Sequence, residues 1–248
     1  MEIVKQKLAQ AAVDWLLPQL QEKPLTLGVG SGTTVNCLID ALGDNPGLVN
    51  AVIAASVESE DRLKNRNIAI LPPEQMQQLD IYIDGADFID PQLCAIKGGG
   101  GALTREKILA SQAQYFVCLC DHSKVVPNLQ GCPIPLEIID FARTSLCRWF
   151  EQHQATATVR PNYLTNNGHP VIDVTGFDLS PSIATSEQQL CALPGIIECG
   201  LFAVNRPHLL ITTRPPPTAG QIHHENDIQV EYQTRTQAPD YFAQPPPH

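Results

Sequence analysis

Carboxylates, lysines and glycines gather in a few short stretches of this chain, and together they could move a proton on a small oxygen-rich molecule. In Ile96–Ser111, IKGGGGALTREKILAS, Lys97 precedes four consecutive glycines, Gly98 to Gly101, and Glu106 follows them. Glycine loses more backbone freedom on folding than any other residue, so such a run implies a need for bare backbone. Unobstructed backbone N–H groups beside a lysine can hold a developing oxyanion. Glu106 falls in the first turn of the helix predicted after the glycines. It is either an acid placed where a helix dipole favours it or, if it faces the glycine loop, a base over whatever that loop admits. Thr104 is at best a plain N-cap, because Lys107 cannot complete a capping box. Arg105 and Lys107 fall on other faces of the same turn.

Three further stretches carry candidate chemistry. In Ile81–Asp87, IYIDGAD, two carboxylates, Asp84 and Asp87, flank Gly85 and Ala86. They suit the handling of hydroxyl protons, and equally an Asx-turn pair that satisfies loop amides. In Gly28–Thr34, GVGSGTT, a glycine-rich turn carries the hydroxyls of Ser31, Thr33 and Thr34 around Gly32. Such a turn between a strand and a helix lets N–H groups and the helix dipole meet a phosphate. The spacing is neither GxGxxG nor a P-loop, so a tight strand–helix turn explains it as well. In Cys120–Lys124, CDHSK, Lys124 is either solvated or a point charge for a phosphate.

The elements that must position these residues alternate in type. LTLGVG, AVIAAS, IYIDGA and YFVCLCD read as strands, with helices at TVNCLIDAL and ESEDRLKNRN. That alternation predicts βαβ units and a mostly parallel sheet, whose ligands bind beyond the carboxyl ends of the strands. Ser31–Thr34, Asp84–Asp87 and Lys124 all lie in such loops. From Pro133 the pattern becomes strand, helix, strand, strand, helix, strand, as in a small split-βαβ α+β domain. PIPLEIID, interrupted by prolines, predicts an edge strand or a domain crossing. Asn167-Gly168 marks a hairpin, and HLLITTR returns to the first sheet. The expected domains are 1–130, completed by about 203–220, and 131–202. The 221–248 tail lacks apolar periodicity, ends in prolines and is expected to be poorly ordered or laid on the surface, with Tyr241 and Phe242 able to dock on a partner subunit.

Composition excludes several classes. With 248 residues, 43% hydrophobic and 17% charged, the chain can build a core. A net charge of −10 and a pI near 5.0 argue against a nucleic-acid surface. No apolar run of ~20 residues suggests a membrane span, and the amphipathic N-terminus lacks signal-peptide features. Eight cysteines without a CxxC, and seven histidines without ligand spacing, point to no metal site and to buried thiols in a reducing cytoplasm.

In this order and at these separations, GVGSGTT, IYIDGAD, IKGGGGALTREKI and DHSK resemble ribose-5-phosphate isomerase, type A, over residues 5–215. PLEII, TNNGHPVIDV and LPGIIECGLF extend the resemblance. It implies a Rossmann-like domain with an inserted ferredoxin-like domain, and a cytoplasmic homodimer or homotetramer of the pentose phosphate pathway. The implied reaction interconverts ribose 5-phosphate and ribulose 5-phosphate without cofactor or metal. Glu106 would be the base. Asp84 and Asp87, with Gly85 and Ala86 between them, would aid ring opening and manage the hydroxyls. Lys97 and the amides of Gly98, Gly99 and Gly100 would cradle the substrate oxygens. Ser31, Gly32, Thr33 and Thr34 would hold the phosphate, with Lys124 on the substrate side and Lys7 near the phosphate. Three features depart from the family pattern: Phe88 stands where DGADE has its last residue, the segment after the second strand is reduced to ASVESED, and the chain extends past Gly220. A sugar-phosphate sensor, or a deaminase or lactonase on a similar fold, is the alternative. Glu106 and the lack of a DNA-binding module before Leu25 favour the isomerase.

Overall fold

The computed structural model describes residues 2–19, 25–76, 78–180, 182–214 and 228–235. In chain order the elements are α1 (Glu2–Leu16), β1 (Leu25–Val29), α2 (Thr33–Gly43), β2 (Val49–Ala54), α3 (Val57–Asn65) and β3 (Leu79–Asp84). Next come β4 (Phe88–Ile89), β5 (Ala95–Ile96), α4 (Leu103–Gln112), β6 (Ala113–Leu119), β7 (Ile134–Ile138) and α5 (Arg143–Gln152). The last are β8 (Thr156–Val159), β9 (Val171–Thr175), α6 (Ile183–Cys191), β10 (Ile196–Cys199), β11 (Leu201–Phe202), β12 (Leu209–Thr213) and β13 (Val230–Thr234). Two compact units form. The first comprises Met1–Gly85, Leu109–Val125 and Pro207–His248; the second comprises Ala86–Ile108 and Val126–Arg206. The glycine run and Glu106 therefore belong to the second unit.

The first unit is the expected α/β layer. Its sheet runs β13-β12-β6-β3-β1-β2. Every pair is parallel except β12 with β13. Strands buried on both faces read as continuous apolar runs, and Leu27, Val29, Ile81, Ile83, Val117 and Leu119 fill this core. Helix α1 adds Leu8, Ala12, Trp15 and Leu16, a helical spacing, and Trp15 stacks on Tyr115 at 5.6 Å. Each such apolar side chain contributes roughly 1.5–3 kcal/mol on burial.

Over residues 228–235 the structure corrects the reading of the tail. Val230–Thr234 pairs antiparallel with β12 along its whole length, as the sheet's edge strand. Its VEYQT alternates, and Val230 and Tyr232 pack on the core. Five residues of period two inside a polar stretch are too short a signal to stand out. Tyr241 and Phe242 lie outside the described residues.

The second unit holds a four-stranded antiparallel sheet, β10-β7-β9-β8, and a three-stranded one, β11-β5-β4. Elements β7-α5-β8-β9-α6-β10 give the split-βαβ order. Here too one expectation fails: β7, which contains Pro135, is central between β9 and β10 and fully buried, not an edge. Proline is excluded from central strands only where its missing N–H would join a ladder. Pro135 sits beyond the end of β10, and its carbonyl still accepts from Gly200 N at 2.7 Å. Among the described residues, no helix is long and apolar enough to cross a membrane.

Candidate active site

In the first unit, the loops after β1, β3 and β6 leave three neighbouring strands at their carboxyl ends. Gly30 N donates to Ile83 O at 3.0 Å, and Ser59 Oγ donates to Gly30 O at 2.9 Å. The Asp84 side chain occupies the space beside Gly30, where an added Cβ would land on its carboxylate. Asp84 is 1% exposed. Its Oδ1 accepts from Ser31 N at 3.2 Å and from Gly85 N at 2.7 Å, and its Oδ2 accepts from the Tyr82 hydroxyl. Asp84 thereby fastens the Ser31 loop. Gly32, with φ of +87°, precedes α2, so the amides of the first turn, at Thr33 and Thr34, open that helix. Thr33 is exposed, while Ser31 and Thr34 are half-buried. Lys124 is half-buried in a 3-10 turn that begins where Asp121 Oδ1 accepts from Ser123 N at 2.9 Å.

In the second unit, Lys97 and Glu106 meet. Both are 3% exposed, and Lys97 Nζ stands 3.1 Å from Glu106 Oε2. The ammonium also lies 5.4 Å from the centre of the Phe202 ring, a cation–π arrangement. Lys97 N donates to Gly200 O at 2.9 Å, and Glu106 N to Ala102 O at 3.0 Å. Asp87 N donates to Ile96 O at 2.9 Å, and Gly99 N donates to Asp87 Oδ2 at 2.7 Å. A Cβ on Gly99 would come 2.5 Å from Asp87 Oδ1. The amide of Gly99 is thus engaged by Asp87, whereas the sequence reading assigned it to substrate alongside those of Gly98 and Gly100. Ala86, half-buried, precedes Asp87.

The glycine carbonyls are gripped from the β8–β9 connection. Arg160 donates to Gly98 O at 3.1 Å and to Gly99 O at 3.0 Å, and the Tyr163 hydroxyl donates to Gly100 O. Asp173 holds the guanidinium bidentately at 2.6 and 2.7 Å, and this pairing pushes the Arg160 pKa further up. With its carbonyls tied on one side, the peptide chain of the run is fixed in orientation. A second grip acts on α4. Glu137, fully buried in β7, accepts from Thr104 Oγ1, from Thr165 Oγ1 at 2.8 Å and from Asn167 Nδ2 at 3.2 Å. Thr104 is therefore the second residue of α4, bonded to a buried carboxylate, and not its N-cap. Arg105 bonds Asn167 Oδ1 at 2.9 Å and Asn166 O at 3.1 Å. Lys107, 6% exposed, donates to Glu187 Oε1 at 2.7 Å and to Leu201 O.

Arg160, Tyr163 and Glu137 escaped the sequence reading, and Lys107 was placed only on another face of the turn, with no sign of its burial. Glu137 left a signal, a lone carboxylate inside the apolar run IPLEII. Arg160 and Tyr163 left none, because polar residues in a hairpin connection are ordinary. Phe88, at the position of the family's expected glutamate, packs against the apolar core of the second unit.

Residues 51–215 match the sequence profile "Ribose 5-phosphate isomerase A (phosphoriboisomerase A)". The chain belongs to this family. It is 39% identical over 201 residues to the ribose-5-phosphate isomerase A of Bordetella bronchiseptica, covering 81% of this chain and 88% of that one. Its fold is similar to the crystal structure of ribose 5-phosphate isomerase A from Neisseria gonorrhoeae, with a TM-score of 0.79, 30% identity, and coverage of 93% and 95%. It is also similar to a D-ribose-5-phosphate isomerase solved in complex with phospho-erythronic acid, with a TM-score of 0.78, 28% identity, and coverage of 93% and 98%. The ribose 5-phosphate isomerase A profile spans the IYIDGAD, glycine-run and DHSK stretches, so membership bears on the residues that carry the candidate chemistry.

Proposed function

We propose that this member of the ribose 5-phosphate isomerase A family interconverts ribose 5-phosphate and ribulose 5-phosphate through an enediolate, with Glu106 as the base. The single observation that carries the residue assignment is the buried Lys97–Glu106 pair beside the glycine run. An aldose–ketose isomerisation takes a proton from a carbon next to a carbonyl and returns it to the neighbouring carbon. One carboxylate serves both transfers when it lies over one face of the C1–C2 bond. Positioned proton transfer contributes ~10²–10⁴-fold. Stabilisation of the oxyanion by fixed donors usually contributes more, and Lys97 with the amides of Gly98 and Gly100 supplies it. Asp87 steers hydroxyl protons. Asp84 holds the Ser31 loop and aids ring opening. Ser31, Gly32, Thr33, Thr34 and Lys124 bind the phosphate, a handle whose binding energy orients the reacting carbons. The phospho-erythronic acid complex of a relative supports a phosphorylated substrate. The reading places the enzyme in the pentose phosphate pathway, as a homodimer or homotetramer in a reducing cytoplasm, where eight free cysteines are at ease.

The deciding experiment incubates the protein with ribose 5-phosphate in EDTA and follows ketose formation. Rapid appearance of ribulose 5-phosphate is expected, with unphosphorylated ribose turned over far more slowly. Binding of the sugar phosphate without turnover would identify a sensor and overturn the isomerase assignment. Arg160→Ala tests the grip on the glycine carbonyls. Freeing those carbonyls should lower kcat by roughly 10–100-fold through misorientation, with KM changed far less because the phosphate loop is untouched. Arg160→Lys keeps the charge and loses the forked contact, so it should recover only part of kcat. A wild-type kcat in Arg160→Ala would exclude this positioning role.

A further inference from the structure

Outside the residues assigned to the reaction, a cluster of reactive groups closes the second unit's α6 and β10. Cys191 is the last residue of α6 and Cys199 the last of β10. Their sulfurs are 3.5 Å apart, with the Cys191 thiol donating to Cys199. Cys191 is exposed and Cys199 buried. Lys107 Nζ lies 4.0 Å from Cys199 Sγ. The donated thiol hydrogen bond first, and the ammonium second, draw the Cys199 thiol below its ordinary range, against the opposing effects of burial and of Glu187 and Glu198. The same hydrogen bond pushes the Cys191 thiol well up, so the two sulfurs share one proton, and an ionised sulfur in contact with an accessible one is the arrangement that reacts by oxidation.

Cys37, Cys118 and Cys120 lack the accessible half of it. All three are buried, out of an oxidant's reach. Cys191, Glu198 and Cys199 also bring three donor atoms within 4.8 Å of one another. Lys107 stands 3.3 Å from Glu198 Oε1, however, and its charge already fills the role of a cation there.

We propose that Cys191 and Cys199 form a reversible dithiol–disulfide pair, with a hydroperoxide as oxidant. Cys191 passes its proton to Cys199 along their hydrogen bond, and the exposed Cys191 thiolate attacks one peroxide oxygen and the O–O bond breaks. The other oxygen leaves with the proton from the Cys199 thiol, as water when the oxidant is hydrogen peroxide, so that Cys191 becomes a sulfenic acid and Cys199 a thiolate. The Cys199 thiolate then attacks that sulfur and expels hydroxide, forming the S–S bond. The sulfurs close from 3.5 Å to about 2.05 Å. A thiol reductant reverses the bond by exchange. The link staples α6 to the end of β10, one residue before Gly200, whose carbonyl holds Lys97 N. The proposal is independent of the isomerase assignment.

The test uses the full chain, reduced, freed of reductant and exposed to a small excess of hydrogen peroxide. Remaining thiols are alkylated under denaturing conditions and the digest is read by mass spectrometry. The expected result is loss of two alkylatable thiols, a joined Cys191–Cys199 peptide lighter by two hydrogens, and full recovery with dithiothreitol. Cys191→Ser should form no link and keep Cys199 alkylatable, whereas Cys132→Ser should behave as wild type. If both cysteines are still alkylated after peroxide, or if Cys191 passes to sulfinic acid while Cys199 stays free, the pair is not a redox couple.

Discussion

Glu106→Gln is expected to cut kcat for ribose 5-phosphate by at least ~10²-fold, the lower end of what a positioned proton-transfer group supplies, while KM moves little. Glutamine keeps the length of the side chain and can still reach Lys97, 3.1 Å away in the native pair. What it loses is the ability to accept a proton from carbon. Exchange of the substrate's C2 proton with solvent should fall in step with turnover, because both need the same carboxylate. The substitution also removes a negative charge from beside a buried ammonium, at a site where the native side chains are 3% and 4% exposed. Thermal unfolding of the variant therefore belongs beside the kinetics, to show that loss of activity is not loss of fold. A folded variant that turns over substrate at nearly the native rate would refute the assignment of the base.

Lys107→Met should lower the unfolding free energy by about 3–5 kcal/mol, the usual cost of removing one partner of a buried ion pair. Lys107 supplies the positive charge beside Glu187 and Glu198, at 2.7 and 3.3 Å, and its ammonium lies 4.5 Å from the Phe202 ring centre. Methionine fills the volume and leaves Glu187 charged and buried. Glu187 Oε2 would still accept from Ala203 N and Val204 N, at 2.7 and 2.9 Å, but two amides do not neutralise a carboxylate. Adding Glu187→Gln to Lys107→Met should restore part of the loss, since glutamine keeps an oxygen for those amides and carries no charge. Urea denaturation of wild type, both single variants and the double variant gives the coupling directly. A loss under ~1 kcal/mol in Lys107→Met would mean that the pair behaves as a solvated one. Because Lys107 directly follows Glu106 on α4, its anchorage also fixes the rotation of the helix about its axis.

The alternation of apolar runs with amphipathic stretches was enough to predict the parallel sheet, because strands buried on both faces and helices buried on one leave different periods. The glycine-rich turn before α2 and the split-βαβ order of the second unit were legible for similar local reasons. Pro135 of β7 misled because the rule against central proline concerns a particular N–H, and this residue falls where β10 has already ended. Edge strand β13 was missed because its five residues alternate inside a polar stretch that carries no other apolar signal.

For the candidate site, sequence alone determined which residue types stand beside bare backbone: Lys97, Glu106, Asp84, Asp87 and the glycines. Those are matters of local order along the chain. Only the tertiary structure decided that Lys97 and Glu106 are buried and paired, that Asp84 fastens the Ser31 loop, and that Arg160 and Tyr163 grip the glycine carbonyls. Arg160 is about sixty positions from the glycines it holds, and Cys199 is joined to Lys107 across more than ninety. Such contacts come from how strands register and pack. No periodicity of three or four residues encodes which distant polar groups will share a low-dielectric interior, where each must find a partner.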